Sequence, residues 1–511
     1  MSDYSARNKR LAKNTIVLYF RMFFIMALQL YTSRLVLQAL GIENYGIYNV
    51  VGGVMAMLNF VNMSLSNANS RFVSVEIGSG NLDSVKKLFG CIMSIHCLFG
   101  VIILIFAETV GLWFVMTQLV IPSERMVAAI WVYQSALSSI ITIISSPYNG
   151  LIIAHEKMSA FAVISIFDAV AKFGIAILLF YSLIDRLILY AVLHVLIQLI
   201  VCLIYAVYCK KKFEESNYHF IWNKKVSLSV LSFAGWTLTG NIAVMGYTQG
   251  LNILLNIFFG AIVNAARGVS VQVQTAARMF FVGFQTAINP QIYKSYAQKD
   301  FDRMHALVFM SSRFSFFLML VVTIPLCMHT QYILELWLGD VPEYTAAFVR
   351  IMLIVGLINT LQNPTMTALH ATGNIKKVQI VESSLLLSVV PVAYFCLKFL
   401  HILPVMVFVV YFIIEFVAQF VRVYMIYPMI KLRMKDYFIK VMWPISVVTT
   451  LAVLVCWISS RVIVVSDFWM LLVAIAVYVL IIGVCVFFFG LQKIERQYAI
   501  KLVHEKVMKI C

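Results

Sequence analysis

Apolar runs of about twenty residues or more, separated by short polar stretches, recur along the whole chain. A membrane-crossing helix needs about 20 mainly apolar residues. On that measure the pattern predicts fourteen spans, near 14–36, 45–67, 88–108, 125–146, 160–181, 187–209, 228–254, 261–288, 308–330, 345–367, 378–398, 402–426, 438–459 and 467–490. Spanning backbone must satisfy its own hydrogen bonds, so the choice lies between helices and closed barrel strands. Barrel strands would read as alternating stretches of about ten residues. The runs here are longer and do not alternate, so helices are expected. The stretch 228–288 is unusually polar, and its division near Phe259-Gly260 is the least distinct.

The basic residues fix an expected topology. With the N-terminus inside, loops after even-numbered spans carry Arg71, Lys86 and Lys87, then Lys157, then Lys210 to Lys212 with Lys224 and Lys225. They continue with Lys294, Lys299 and Arg303, then Lys376 and Lys377, then Lys431, Arg433, Lys435 and Lys440. The opposite side has scattered single residues: Arg34, Arg125, Arg186, Arg350, Lys398 and Arg461. This bias puts both termini in the cytoplasm. The closing stretch LQKIERQYAIKLVHEKVMKI mixes charged and apolar residues and reads as a surface amphipathic helix.

Composition agrees. Of 511 residues, 62% are hydrophobic and 12% charged, where a soluble chain carries roughly 25% charged. A net charge of +17 would suggest nucleic acid in a soluble protein. Here the basic residues cluster between apolar runs, and no nucleic-acid motif is present. The nine cysteines are scattered without a CxxC pair, which reads as buried small hydrophobes rather than a disulfide or metal framework. The run from Thr15 lacks a cleavage motif and reads as the first span rather than a signal peptide. No large soluble domain and no Walker motif interrupts the spans. Nothing points to catalysis, to a cofactor or to a metal.

The first six spans resemble the next six. SSPYNGLIIAHEK at 145–157 and QNPTMTALHATGN at 362–374 both carry proline near a helix end, Pro147 and Pro364. Tyr31-Thr32 and Tyr247-Thr248, and Asp83 and Asp302, recur at nearly the same offset. Six spans per repeat preserves orientation, so the repeats are parallel, and parallel repeats suggest two bundles around a cavity that opens to one side at a time. The expected fold is therefore all-α and polytopic. It comprises an N-terminal six-helix bundle (1–209), a cytoplasmic linker (210–227), a C-terminal six-helix bundle (228–426), two additional helices (427–490) and a cytoplasmic tail (491–511). Pro147 and Pro290 are expected to end helices, Pro325 and Pro391 to kink them.

Polar residues inside the spans are expensive and mark interior faces. Arg21 lies in the first span. Arg267, Gln274, Arg278 and Gln285 share one face of the eighth, and Thr237, Asn241, Thr248 and Asn252 one face of the seventh. Arg313 lies in the first turns of the ninth. One reading is a water-filled, positively charged cavity suited to a diphosphate or another anion, since arginine presents paired donors to phosphate oxygens. The other is that some arginines snorkel to headgroups and the amides join helices. Asp168 and Lys172 stand at i,i+4 spacing, as an internal ion pair or as a coupling site. Glu415 lies mid-span and is placed to carry a proton; Glu382, near the start of its span, is expected to be solvated. His194 and His370 have no partner at metal-ligand spacing.

Several stretches carry a family likeness: NTIVLYFRMFFIMALQLYTSRLVLQALGIENYGIYNVVGGV, SNANSRFVSVEIGSGN, ILLNIFFGAIVNAARGVSVQVQ, AINPQIYKSYA and MTALHATGNIKKVQ. The chain resembles the polysaccharide and O-antigen flippase branch of the multidrug/oligosaccharidyl-lipid/polysaccharide exporter superfamily, nearest to Bacteroides-type lipopolysaccharide biosynthesis membrane proteins. The resemblance implies two six-helix bundles in a bacterial inner membrane. They would carry undecaprenyl-diphosphate-linked oligosaccharide from the cytoplasmic to the periplasmic face for O-antigen or capsular polysaccharide synthesis. Carried onto this sequence, substrate contacts fall to Arg21, Arg267, Arg278, Arg313, Asn241 and Asn252, and coupling to Asp168, Lys172 and Glu415. Polymerase and glycosyltransferase machinery would be the partners, and a single copy would suffice. The main rival is an ion-coupled multidrug or metabolite exporter of the same superfamily.

Overall fold

The computed structural model describes residues 14, 17–29, 31–32, 34–36, 38–41, 44, 47–48, 51, 59–117, 123–216, 222–338, 341–463, 465–493 and 495–497. Among them the helices in chain order are α1 (Val17–Gly41), α2 (Asn59–Ser79), α3 (Leu82–Thr117), α4 (Ser123–Ala154), α5 (Met158–Tyr181), α6 (Arg186–Lys212) and α7 (Lys224–Ala297). Then follow α8 (Phe301–Met328), α9 (Thr330–Leu338), α10 (Thr345–Thr372), α11 (Lys376–Leu400), α12 (Pro404–Ile426), α13 (Met434–Val462) and α14 (Phe468–Gly490). No strand occurs among the described residues. The helical expectation is met because hydrocarbon leaves a backbone no outside partner.

Twelve described helices are long and apolar enough to cross a membrane, fewer than the fourteen expected. About half of the second expected span, 45–67, falls outside the described residues, and its second part, 59–67, is the start of α2. The eighth, 261–288, is helical, but Arg267, Gln274, Arg278 and Gln285 make it too polar to read as a span by composition. Elsewhere polarity is turned inside out, as lipid demands. Phe468, Trp469 and Leu480 of α14 are exposed, whereas Arg313 and Arg422 are almost wholly buried.

Helix starts are set by local chemistry. Asn81, Asp185, Asn223 and Asp467 each accept backbone N–H groups of the first turn, the donors a helix cannot satisfy itself. Asp185, ahead of α6, takes the N–H groups of Leu187 and Ile188 at 2.9 and 3.1 Å, and Nη1 of Arg125 at 2.6 Å. Partial burial raises its pKa, but those donors outweigh burial and hold the carboxyl below its ordinary value. A depressed folded pKa gives stability that is present above the unfolded value, near 4, and lost as pH falls through the folded one. Asp185→Ala is therefore expected to lower thermal stability by about 1 kcal/mol at neutral pH, with the gap to the parent closing below about pH 4. Melting curves at pH 7 and pH 3 check this; an undiminished gap at pH 3 would refute the ionic part.

Proline does not end helices where expected. Pro147 is buried inside the segment Ser138–Ala154 of α4, and Pro290 lies inside α7. Each removes one backbone donor. In a packed, water-poor interior, unwinding would orphan several more, so the helix continues past the proline. In α3 the turn Ala107–Gly111 widens to a π-bulge, and the Tyr133 hydroxyl donates to the Ala107 carbonyl at 2.7 Å. Gly111 makes room for it, since a Cβ there would lie 2.1 Å from that hydroxyl.

The chain divides into two compact units, Met1–Ile242 with Thr286–Asp300, and Ala243–Gln285 with Phe301–Cys511. In the first unit α4 packs on α2, α3 and α6, and α5 on α6. In the second, α10 packs on α8 and α12, and α11 on α12. The pairings of spans three with four, four with six and five with six thus recur as nine with ten, ten with twelve and eleven with twelve. α13 and α14 pack on each other and on α8, as an addition to the second unit.

The helix α7 is hydrogen-bonded as a helix over 74 residues, which would be about 110 Å if straight. It is not straight. Arg267 donates to the Thr248 carbonyl at 2.6 Å and to Asn252 Oδ1 at 3.0 Å, and nineteen residues of straight helix would separate Arg267 from Thr248 by about 28 Å. The chain must double back between them, in the region of Phe259-Gly260 where the sequence divides the two spans. The ends of both arms belong to the first unit. There Asn241 donates to Ser64 at 2.8 Å, and Lys294 and Gln291 reach the Glu156 carboxylate at 2.9 and 3.4 Å.

Candidate functional site

The first unit encloses a cavity of about 550 Å³. Its wall is polar although the helices that form it are apolar. α1 supplies Arg21, Gln29 and Thr32; α2 and α4 supply Asn62, Ser66, Ser145 and Asn149; α5 supplies Asp168 and Lys172; α6 supplies Tyr190, His194, Gln198 and Tyr205. On α6 these residues recur at helical spacing, so one face of a lipid-embedded helix is aimed at the cavity.

Charge in this wall is unbalanced. Lys172 Nζ donates to Asp168 Oδ2 at 2.8 Å, and Gln198 Nε2 lies 3.4 Å from Asp168 Oδ1. Among the described residues Arg21 has no carboxylate partner; its guanidinium lies over the Phe161 ring, 4.3 Å from the centroid, and its Nε makes no hydrogen bond there. Among the described lining residues, Arg21 and Lys172 are therefore set against the single acid Asp168. The buried amide oxygens of Asn62 and Asn149 also have no hydrogen-bond partner among the described residues. A polar wall with unmet donors and acceptors, carrying one excess positive charge, suits a hydroxyl-rich or anionic solute better than an apolar cation.

The second unit holds a different arrangement. Arg422 of α12 is fully buried, donating to Glu382 Oε1 from Nε at 3.2 Å and from Nη2 at 2.7 Å. It also donates to Gln419 and lies 3.6 Å from Glu415. Gln362 donates to the same Glu382 oxygen at 2.7 Å, and Glu382 Oε2 is buried without a partner. Glu382, expected to be solvated, is thus an interior ion-pair partner. Its place near a helix start does not set its exposure, because α12 carries a guanidinium to it.

The structure brings Arg21, Asp168 and Lys172 together at one cavity. It joins Arg267 to Asn252 in the α7 hairpin, and Asn241 to Ser64 in the first unit. Arg313 is buried and paired with Glu495 at 2.5 Å. Arg278 is exposed. Glu415 belongs to the Arg422 cluster. Sequence reasoning passed over Arg422 and the α6 face. The i,i+4 series Tyr190, His194, Gln198 was the available signal for the second, and Gln419 and Arg422 following Glu415 on one helix face for the first. Among the described residues no group of His, Cys, Asp and Glu is placed to hold a metal ion.

Apolar helices enclosing a polar, charged cavity describe a multi-pass membrane protein with an internal polar site. Solved structures share this fold. A multidrug-resistance MATE family transporter of the MOP superfamily in an outward-facing conformation is 13% identical, covering 82% of this chain and 96% of its own, with a TM-score of 0.70. A Pyrococcus furiosus MOP-superfamily transporter, described as having a binding pocket of reverse polarity that suggests a different function, is 14% identical over 82% and 96%, with a TM-score of 0.69. The Vibrio cholerae MATE transporter VcmN in its bent form is 16% identical over 86% and 100%, with a TM-score of 0.68. No curated protein matches the chain. The model of the family described as "Polysaccharide biosynthesis protein" matches residues 11–296, more than half of the chain, and a MatE model matches residues 237–395. The chain belongs to the polysaccharide biosynthesis protein family, and it shares the fold of MATE transporters.

Proposed function

We propose that the protein carries an undecaprenyl-diphosphate-linked oligosaccharide across the inner membrane by alternating access, from the cytoplasmic to the periplasmic face, for O-antigen or capsular polysaccharide synthesis. The observation that carries this reading is the polar, net positive cavity of the first unit, and the family match over residues 11–296 supports it. Diphosphate and sugars cannot leave water for hydrocarbon without replacement partners. Among the described residues Arg21, Arg267 and the exposed Arg278 have no carboxylate partner, and Arg267 is already held by Thr248 and Asn252, which leaves Arg21 and Arg278 as the cationic candidates. Arg267, Arg313, Asn241 and Asn252 would act by holding helices in place beside substrate. Both termini would face the cytoplasm, where glycosyltransferases deliver substrate, and the polymerase would receive it outside.

A second reading is an ion-coupled multidrug or metabolite exporter. By comparison alone it has more direct support, because similar solved structures are described as multidrug transporters. Asp168, Lys172 and the Glu382–Arg422–Glu415 cluster would then serve coupling. Proteoliposomes separate the two readings. Labelled undecaprenyl-diphosphate oligosaccharide is expected to change leaflets with the parent protein. Arg21→Ala should slow it about 10-fold or more, the equivalent of one charged hydrogen bond. Transport of a lipophilic cation under an ion gradient, with no movement of the lipid-linked glycan, would establish the exporter instead.

A further inference from the structure

The internal repeat allows two helix corners to be compared. SSPYNGLIIAHEK at 145–157 and QNPTMTALHATGN at 362–374 align on Pro147 and Pro364. In that alignment Glu156, at the turn from α4 to α5, falls on Gly373, at the turn from α10 to α11. Both residues are left-handed, with φ of 58° and 76°. Both N–H groups bond three residues back, to the carbonyls of Ile153 and His370 at 2.9 and 3.1 Å. Glycine takes this conformation freely, whereas a residue with a Cβ does so at a cost. The first unit thus keeps a strained glutamate where the second has the residue the backbone favours. What the glutamate adds is its side chain. Glu156 is buried, and its carboxylate takes Lys294 Nζ at 2.9 Å and Gln291 Nε2 at 3.4 Å. Its carbonyl accepts from Asn14 at 3.2 Å. Beside it, His155 Nε2 meets Glu215 Oε1 at 2.5 Å with its ring stacked on Phe213, so the same corner also grips the segment after α6.

The stretch that Glu156 holds has a particular place in the chain. Residues 286–300 belong to the first unit, yet they continue from 243–285 on one side and into α8 at Phe301 on the other, both in the second unit. Rearrangement of the second unit therefore reaches this stretch from both ends. Its holders are a lysine on a flexible four-carbon stem and an amide, groups that can leave a carboxylate for water. Backbone strain of this kind persists only where the surroundings maintain it, and it collects at switches. We propose that Glu156 is a latch, closed in this structure on Lys294 and Gln291 and opened once in each transport cycle. The latch rests on the alternating-access part of the proposed function and not on which solute is carried. It is one-sided, because Gly373 has no side chain with which to hold a partner.

Two measurements on the full chain test this. The first is hydrogen exchange in nanodiscs. Glu156→Gly installs the residue that stands at the second corner. It should leave the melting temperature unchanged or raised, since strain is relieved, while exchange over 286–300 quickens about tenfold, the equivalent of one charged hydrogen bond. A lower melting temperature, or exchange over 286–300 equal to the parent's, overturns the latch. The second is a lock. Glu156→Cys and Lys294→Cys are joined by a short, reducible thiol crosslinker, with the treated parent as the control for its natural cysteines. In proteoliposomes the joined protein should stop carrying its solute and recover on reduction, whereas a static brace would leave transport unimpaired and overturn the latch. The solute is lipid-linked glycan or the lipophilic cation tetraphenylphosphonium, whichever the parent moves. A cation stopped by the lock upholds the latch while the flippase reading falls. Glycan that crosses the locked protein overturns the latch while the flippase reading stands. Should the double variant not fold, or neither solute move, the exchange comparison decides.

Discussion

Arg422→Met is expected to cost about 3–5 kcal/mol, because removing one partner of a buried ion pair leaves uncompensated charge in a medium that cannot solvate it. Two carboxylates depend on this guanidinium, Glu382 at 2.7 Å and Glu415 at 3.6 Å, and all three side chains are buried. Removing the acids along with the base is a different matter. In the triple variant Arg422→Met, Glu382→Gln and Glu415→Gln no charge remains to be stranded, and a buried ionic cluster replaced by neutral groups of similar size is often close to neutral in stability. The triple variant should therefore recover most of the loss. Thermal inactivation of the detergent-solubilised protein, followed by monodispersity, compares parent, single and triple variants at one pH. A triple variant as unstable as the single would mean that the hydrogen bonds from Arg422 to Glu382, rather than charge, hold α12 to α11.

What could be read from the sequence follows from which partner a residue meets. Lipid imposes the same requirement along the whole chain, so the apolar spans, their helical character and the i,i+4 pairing of Asp168 with Lys172 were legible residue by residue. The division of α7 was legible too, because Phe259-Gly260 separates two polar-faced stretches, although the backbone there keeps helical hydrogen bonding. Interior polar groups are another matter. Glu382 near a helix start reads the same whether it meets water or Arg422, and only packing of α11 on α12 decides. Arg267 and Arg313 read as anion contacts beside Arg21. The first instead clamps the α7 hairpin through Thr248 and Asn252, and the second is paired with a tail residue far along the chain. Proline was misjudged for a related reason: the rule that it ends helices assumes an exposed helix end, and Pro147 is buried within a packed helix. The tail beyond residue 497 and about half of 45–67 fall outside the described residues, so the amphipathic tail and the start of the second span remain expectations from pattern.

Glu495→Ala is expected to destabilise the second unit by about 3 kcal/mol or more, although Glu495 lies in a tail that would ordinarily be trimmed without thought. The reason is its partner. Arg313 on α8 is 2% exposed, donates from Nη2 to Glu495 at 2.5 Å, and has a buried Nε with no hydrogen bond. A solvated surface pair would contribute little; here the arginine cannot reach water when its acid is removed. α8 is also the helix on which α13 and α14 pack, so the strain falls on the contact that holds the two extra helices. A chain ending at Leu491 removes the same carboxylate and should lose stability to a similar degree, whereas Glu495→Ala combined with Arg313→Met should regain most of it. Thermal inactivation and partial proteolysis of these three proteins distinguish the outcomes. Full stability of the shortened chain would show that solvent or lipid headgroups serve Arg313 as well as Glu495 does, and that the tail is not part of the folded unit.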